Sequence, residues 1–178
     1  AVEGHGVINA AFMHPSQKAW RTDRTSVLHQ YDPKRAAALL KEVGYKGEPV
    51  ELYATRDVEY LANTALALQQ QLGKLGIKVD VKYLDMGGLS GKVYAKAPDY
   101  QLGLMSSSGR FDPDQHYYRR LHSSTAVNKY SNPEYDRVVE EARVTMDQAK
   151  RKVLYDQAQA ILMRDIPAIL LFNPEFFD

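Results

Sequence analysis

Cysteine is absent from the 178 residues, which excludes disulfides and thiolate chemistry and leaves the compartment open. No apolar run approaches the roughly 18 residues that a membrane-spanning helix needs. Neither sign of charge dominates. Lysine and arginine number 23 against 22 acids, for a net charge of +1, and like charges never form a long block, so a nucleic-acid surface is not expected. Neither a phosphate-binding glycine loop of the Walker type nor a G-x-G-x-x-G is present, and there is no G-x-S-x-G nucleophile elbow. The five histidines, His5, His14, His29, His116 and His122, are never three or four residues apart, and no acid completes a ligand set. No metal or cofactor is therefore expected. The chain begins with Ala1 rather than Met and shows no signal peptide. It is read as a mature form or a piece of something longer.

What is present is ordinary for a globular protein: 44% hydrophobic residues and 25% charged. The 12 tyrosines favour a binding surface. The length predicts one domain, with room for a small appendage. Its organising stretch is residues 49–106, which reads strand, helix, strand, helix, strand. Val50, Leu52 and Ala54 alternate with polar-tipped neighbours. From Tyr60 the period lengthens, and Leu61, Ala65, Leu68, Leu72 and Leu75 form one helical stripe. Asp57 is the expected N-cap and Gly76 the expected C-terminal glycine. Ile77, Val79, Val81 and Tyr83 then alternate with Lys78, Asp80 and Lys82, a strand with one wet face near a sheet edge. A short helix is expected over 87–97. Residues 100–105 are apolar on both faces apart from Gln101 and read as a central parallel strand. These elements predict an α/β fold with a mostly parallel sheet flanked by helices.

The flanks add an irregular arm over 1–31 carrying Trp20, the only tryptophan. Trp20 either anchors the arm on the domain or faces a ligand. Asp32-Pro33 opens a helix with Ala36, Leu39, Leu40 and Val43 turned inward, closed by Gly44. Later helices are expected over a short segment holding His116, Tyr117, Tyr118 and Leu121, then over 133–146 behind an Asn132 cap with Tyr135, Val138, Val139, Ala142 and Met146 buried, then over 148–164. A doubly buried strand is expected at 168–172, and 173–178 trails off with Phe176 and Phe177.

The candidate site is the loop after the third strand: Ser106, Ser107, Ser108, Gly109, Arg110, Phe111 and Asp112. Open parallel sheets place ligands at the carboxyl ends of their strands. The serines offer neutral donors and acceptors, and Arg110 a planar charged fork that suits a carboxylate or phosphate. Arg110 either meets a ligand, points to solvent, or pairs with Asp112 or Asp114. The serines have no evident base partner, and Asp112 and Asp114 read as helix-capping groups, so no catalytic residue is expected.

Five stretches together resemble one family. Residues 31–36 (YDPKRA), with Leu39-Leu40 and Gly44-Tyr45, are similar to its Y-D-P-x-K-A-x-x-L-L-x-x-A-G-Y. Residues 68–81 (LQQQLGKLGIKVDV), 111–114 (FDPD), 130–136 (YSNPEYD) and 151–167 (RKVLYDQAQAILMRDIP) follow in the family's order. The family is that of the extracytoplasmic solute-binding proteins of ABC transporters, family 5, which includes dipeptide-, oligopeptide- and nickel-binding members. The resemblance is to the second lobe and covers about residues 31–172. It implies one lobe of a two-lobed periplasmic-binding-protein-like fold, with 1–31 as an arm, 32–172 as the ligand-binding lobe and 173–178 running toward the missing first lobe. It implies a binding role without chemistry: capture of a peptide-like or other small polar solute and delivery to an ABC permease. It also implies a periplasmic or extracytoplasmic location, membrane-attached if the parent is a lipoprotein. A ligand-sensing module of a regulator and an α/β enzyme domain are the alternatives. Peptide-binding members commonly carry a Trp at the end of the third strand and, three residues on, an Asp that pairs with the peptide ammonium. Ser106 and Gly109 stand there instead, which points away from an ordinary free peptide.

Overall fold

A computed structural model of the chain describes residues 6–8, 12–13, 19–20, 31–95, 99–107, 110–126 and 129–174. It divides into two compact units. The first is centred on His29–Ser107, and the second combines Gly4–Leu28 with Ser108–Asp178.

In the first unit, β2 (Val50–Thr55) lies between β3 (Val79–Leu84) and β4 (Leu102–Gly103), parallel to both. Val50 is opposite Val79 and Leu52 is opposite Leu102. Helices α2 (Glu59–Gly73) and α3 (Met86–Val93) connect the strands. Leu52, Ala54, Leu61, Ala65, Val79, Leu89, Val93 and Leu104 are buried. The expected β3 edge and the parallel sheet are therefore present. The third strand differs from expectation. It spans two residues and flanks the central β2 instead of being central itself. The side chain of Gln101 explains the late start, because its Oε1 accepts the Glu51 amide at 2.7 Å in place of a backbone carbonyl. Gly103 lets α3 close on this strand: a Cβ there would sit 2.8 Å from Val93 Cγ2.

Two further expectations are corrected here. Asp57 does not cap α2, which starts after Val58 with no side-chain cap. Its Oδ2 instead accepts the Met86 amide at 2.7 Å, so the carboxylate serves the N-terminus of α3 beside the local cap Asp85. Helix α1 (Pro33–Glu42) forms as expected, with Asp32 accepting the Arg35 amide at 2.8 Å. Gly44, at φ +70°, lets the Tyr45 and Gly44 amides reach the Leu40 and Lys41 carbonyls. Its apolar face is not covered among the described residues, however, and Val43 is 75% exposed. Periodicity identifies which face of a helix is apolar but not what lies against it.

The second unit is helical. Helices α5 (Pro133–Val144) and α6 (Gln148–Asp165) form a hairpin, and α4 (Asp114–Leu121) packs on α5. Tyr117, Tyr135, Tyr155, Leu121, Val138, Val139, Ala142, Ala158, Ile161 and Leu162 fill the core with Met13. Met146, expected in the buried stripe, is 95% exposed because α5 ends at Val144 and Met146 lies in the turn. The doubly buried strand expected at 168–172 is also absent. Ile166 takes a left-handed conformation (φ 50°, ψ 53°) ahead of Pro167, and Ile169 is 71% exposed. Pairing starts only at β5 (Phe172–Pro174), antiparallel to β1 (Gly6–Ile8).

Asn132 caps α5 as expected and does more. Its Oδ1 accepts the Glu134 and Tyr135 amides at 2.9 and 3.3 Å, and its Nδ2 donates to Asp165 Oδ2 at 2.6 Å. The start of one helix is thereby fastened to the end of the next. Asn132→Ala is expected to cost about 1–2 kcal/mol in urea unfolding. Asn132→Asp, which keeps the capping oxygen but opposes Asp165, is expected to be destabilising too. A neutral Asp variant would show that the amide link contributes nothing beyond the cap.

Candidate functional site

The three strands of the first unit are parallel, so their carboxyl ends share one edge of the sheet. Thr55 ends β2 and leads into Arg56 and Asp57; Leu84 ends β3 and leads into Asp85; Gly103 ends β4 and leads toward Ser106 and Ser107. The two acids at this edge are occupied by backbone. Asp57 holds the Met86 amide and Asp85 the Gly88 amide, each at 2.7 Å. Arg56 lies over the Tyr83 ring, 4.2 Å from its centroid, and among the described residues no carboxylate is within ion-pair distance of it. Ser106 and Ser107 are exposed. Sequence reasoning missed Arg56. The signal was available, because Arg56 follows the central strand directly, and the rule that selected the 106–112 loop applies to every strand of the sheet.

The other half of the predicted loop belongs to the second unit. Ser108 and Gly109 lie outside the described residues. Arg110 is exposed, and Phe111 is fully exposed at 100%. Asp112 is firmly held: Arg151 donates from both terminal nitrogens to its two oxygens at 2.8 Å each. The Arg151 guanidinium therefore holds the Asp112 carboxyl below its ordinary range. Asp112 also accepts the Asp114 amide at 2.9 Å and so starts α4. Asp114 meets Arg143, whose Nε is 3.0 Å from Oδ1, as an ion pair without good hydrogen-bond alignment. Burial raises the Asp114 carboxyl despite that cation. Neither acid pairs with Arg110, which removes that alternative for the arginine.

Trp20 packs edge-on against Tyr155, with ring centroids 6.1 Å apart, and the Arg151 guanidinium lies 5.3 Å from its centroid. The ring is half-buried on the helical core, which is the anchoring arrangement of the two considered. A shallow hollow between α5 and α6, lined by Val138, Ile161 and Ala160, is bordered by the Glu134–Arg164 ion pair at 3.1 Å. Among the described residues no His, Asp or Glu cluster is arranged to hold a metal, and no helix is long and apolar enough to cross a membrane.

The model of the family described as bacterial extracellular solute-binding proteins, family 5, middle, matches residues 1–129. The chain belongs to this family. It is 31% identical over 158 residues to di/tripeptide-binding protein 4 of Pseudomonas aeruginosa, covering 83% of this chain and 29% of that protein. It is 28% identical to the dipeptide-binding protein of Escherichia coli, covering 99% of this chain and 34% of that one. A dipeptide-binding protein of Pseudoalteromonas, solved with Met-Leu, superposes with a TM-score of 0.84 at 21% identity, over 97% of this chain and 36% of its own. NikZ of Campylobacter jejuni, solved with Ni(L-His), gives 0.80 at 21% identity, over 96% and 37%. The chain thus spans about a third of the length of these relatives.

Two outcomes test the site's construction. Arg151→Lys keeps the charge but loses the fork to Asp112 and the Nε bond to the Ala142 carbonyl at 2.9 Å. It is expected to cost about 2–3 kcal/mol and to speed proteolysis within 106–114; unchanged stability would contradict the arrangement. The second concerns His116, which is buried on α4. Burial first, then the Arg120 and Arg110 guanidiniums, lower its pKa to about 4. The unfolded chain then binds a proton between pH 6.5 and 4 that the folded chain refuses. This contribution is intact above pH 6.5 and is lost as the pH falls through that window, with a ceiling of about 3 kcal/mol. His116→Leu should flatten the stability profile there, whereas identical profiles would mean that His116 takes up its proton equally in the folded and unfolded chains.

Proposed function

We propose that this chain forms one lobe of a two-lobed extracytoplasmic solute-binding protein, which captures a small polar or peptide-like solute and delivers it to an ABC permease. The observation that carries the reading is the family match over residues 1–129, joined to a fold match over 97% of the chain at a third of the relatives' length. The remaining length would supply the opposing lobe. The role is binding without chemistry, in line with relatives that carry binding-protein names. The location is outside the cytoplasmic membrane, with lipid attachment if the parent is a lipoprotein.

The site residues we propose are Ser106, Ser107, Ser108, Gly109, Arg110, Phe111 and Asp112 of the loop, and, as a separate candidate in the first unit, Arg56 at the end of β2. Asp112 acts by fixing the loop through Arg151. Trp20 stays in this set as the residue that steadies Arg151 from the arm. Support for Arg56, Ser106 and Ser107 comes from the shared carboxyl edge of the parallel strands, where open α/β sheets place ligands.

A small ligand in such a site is covered over most of its surface. One lobe offers only one wall, and each 1.4 kcal/mol lost is about tenfold in affinity. The isolated chain is therefore expected to bind solutes weakly, while the two-lobed parent retains a co-purifying or added solute in native mass spectrometry. Submicromolar binding to the isolated chain by calorimetry would contradict the need for a second wall. A parent that binds nothing from a broad solute library would contradict the function.

A further inference from the structure

We infer that Ser124 is a nucleophilic serine with His122 as its base, and that it accepts an acyl group from an activated carboxylic ester. The site lies wholly within the helical unit and does not depend on the solute-binding reading.

His122 follows the last residue of α4 and opens a tight turn, in which the Thr125 and Ala126 amides donate to its carbonyl at 2.8 and 2.7 Å. The turn carries Ser124 back over the imidazole. Ser124 Oγ comes to 2.8 Å from Nδ1, and the Ser124 amide donates to the same nitrogen at 3.2 Å. An amide N–H can only donate, so Nδ1 bears the lone pair and the ring proton sits on Nε2. Nε2 accordingly faces acceptors, Glu140 Oε1 at 3.1 Å and Asp136 Oδ1 at 3.8 Å. With the tautomer set in this way, the Ser124 hydroxyl donates to Nδ1. The order hydroxyl, imidazole, carboxylate is that of an activated nucleophile, with the two ring nitrogens in exchanged roles relative to the serine-protease triad.

The surroundings hold the base in one orientation. Asp136 and Glu140 are one turn apart on α5, and Asp136 is fixed by the Ser123 amide at 3.0 Å. Both are positioning residues, since their charge favours the imidazolium that forms when Nδ1 takes up a proton. From α4 the Tyr118 ring stacks on the imidazole with centroids 4.3 Å apart. Arg143 lies over Tyr118 at 3.9 Å from its centroid and is itself paired with Asp114 at 3.0 Å. His122 is buried while Ser124 is exposed, so the base is enclosed and the hydroxyl is open to a reagent.

The same geometry limits the chemistry. The Ser123, Ser124, Thr125 and Ala126 amides are all taken, by Asp136, by Nδ1 and by the His122 carbonyl. None of the four is left to stabilise an oxyanion, so the acyl donor has to bring a good leaving group, as an aryl ester, thioester or acyl phosphate does. Ser124 Oγ attacks the carbonyl carbon and its proton passes to Nδ1. The bond to the leaving oxygen or sulfur then breaks, and the proton goes to that departing atom. The product is an ester on Ser124, formed once per chain rather than turned over.

The test treats the full-length parent with p-nitrophenyl acetate and locates acetyl groups by peptide mass spectrometry. Ser124 should be acetylated about 100-fold faster than the exposed Ser123 beside it. His122→Gln should reduce Ser124 to the rate of Ser123. Glu140→Gln, at a side chain 59% exposed, should leave the melting curve unchanged, slow labelling several-fold and move the acid limb of the pH–rate profile to lower pH, because the imidazolium loses a neighbouring negative charge. Acetyl groups confined to lysines and other serines would overturn the inference. So would equal Ser124 labelling of native and urea-unfolded chain, or labelling that His122→Gln leaves intact. If His122→Gln does not fold, the Glu140→Gln profile decides, and an unmoved acid limb overturns the inference too.

Discussion

The helical unit depends on the pairing of Arg151 with Asp112. A guanidinium has five donors in one plane, and Arg151 makes four hydrogen bonds with them. Two terminal nitrogens hold Asp112, Nε holds the Ala142 carbonyl near the end of α5, and one terminal nitrogen also reaches the Tyr155 hydroxyl at 3.1 Å. The Trp20 and Tyr155 rings approach its flat faces at 5.3 and 5.2 Å. The first turn of α6 is thereby connected to the end of α5, to the lead-in of α4 and to the arm. A lysine has no geometry that makes these contacts at once. The pair is partly buried, with side-chain exposures of 16% and 43%. Its desolvation is therefore moderate, and the bidentate geometry gives net stabilisation rather than mere compensation.

The same logic governs both units and shapes their surfaces. Acids at turns and strand ends are occupied by internal donors. Asp57 and Asp85 serve α3 amides, Asp112 serves Arg151, Asp147 serves the Lys150 amide, and Asp165 serves Tyr130, Asn132 and Arg164. For Asp165 the neighbouring Arg164 guanidinium leads these partners in depressing the carboxyl pKa to about 2. The exposed arginines Arg56 and Arg110 are not matched in this way among the described residues. A chain with a net charge of only +1 can therefore present locally positive ground, because its negative charge is drawn inward into caps and forks.

Much of this was legible from residue order alone. Period-two alternation located β2 and β3, and the four–three spacing located α2 and the inner face of α5. Asn132-Pro133 and Asp32-Pro33 marked helix starts because capping is a local property of a few consecutive residues. The failures share one physical cause, which is that the deciding partner is distant in sequence. Gln101 shortens β4 by reaching 50 residues back to Glu51. Asp57 leaves its own helix for an amide 29 residues on. Pairing of residues 172–174 with 6–8 spans almost the whole chain, and nothing in the apolar run 168–172 reveals a left-handed turn at Ile166. For the candidate site, the loop was selected by the strand-end rule, but Arg151 as the group that fixes Asp112 was not. Residues 112 and 151 become neighbours only when α5 and α6 fold back on each other.

Fold and ligand are encoded at different places. The superposing structures include a dipeptide complex and a nickel–histidine complex at almost equal TM-scores of 0.84 and 0.80. A backbone this constant cannot itself choose between a peptide and a metal chelate. What distinguishes ligands must lie in the few side chains placed at the strand ends, where substitution leaves the core untouched. Ser106 fits that description, since it is exposed and outside the buried core of its unit. A change of charge at the exposed Arg110 would leave the Arg151 fork on Asp112 in place, since Arg110 takes no part in it. Substitution at such an exposed position carries little cost to stability, because the groups that hold the loop, Asp112 and Arg151, are different ones.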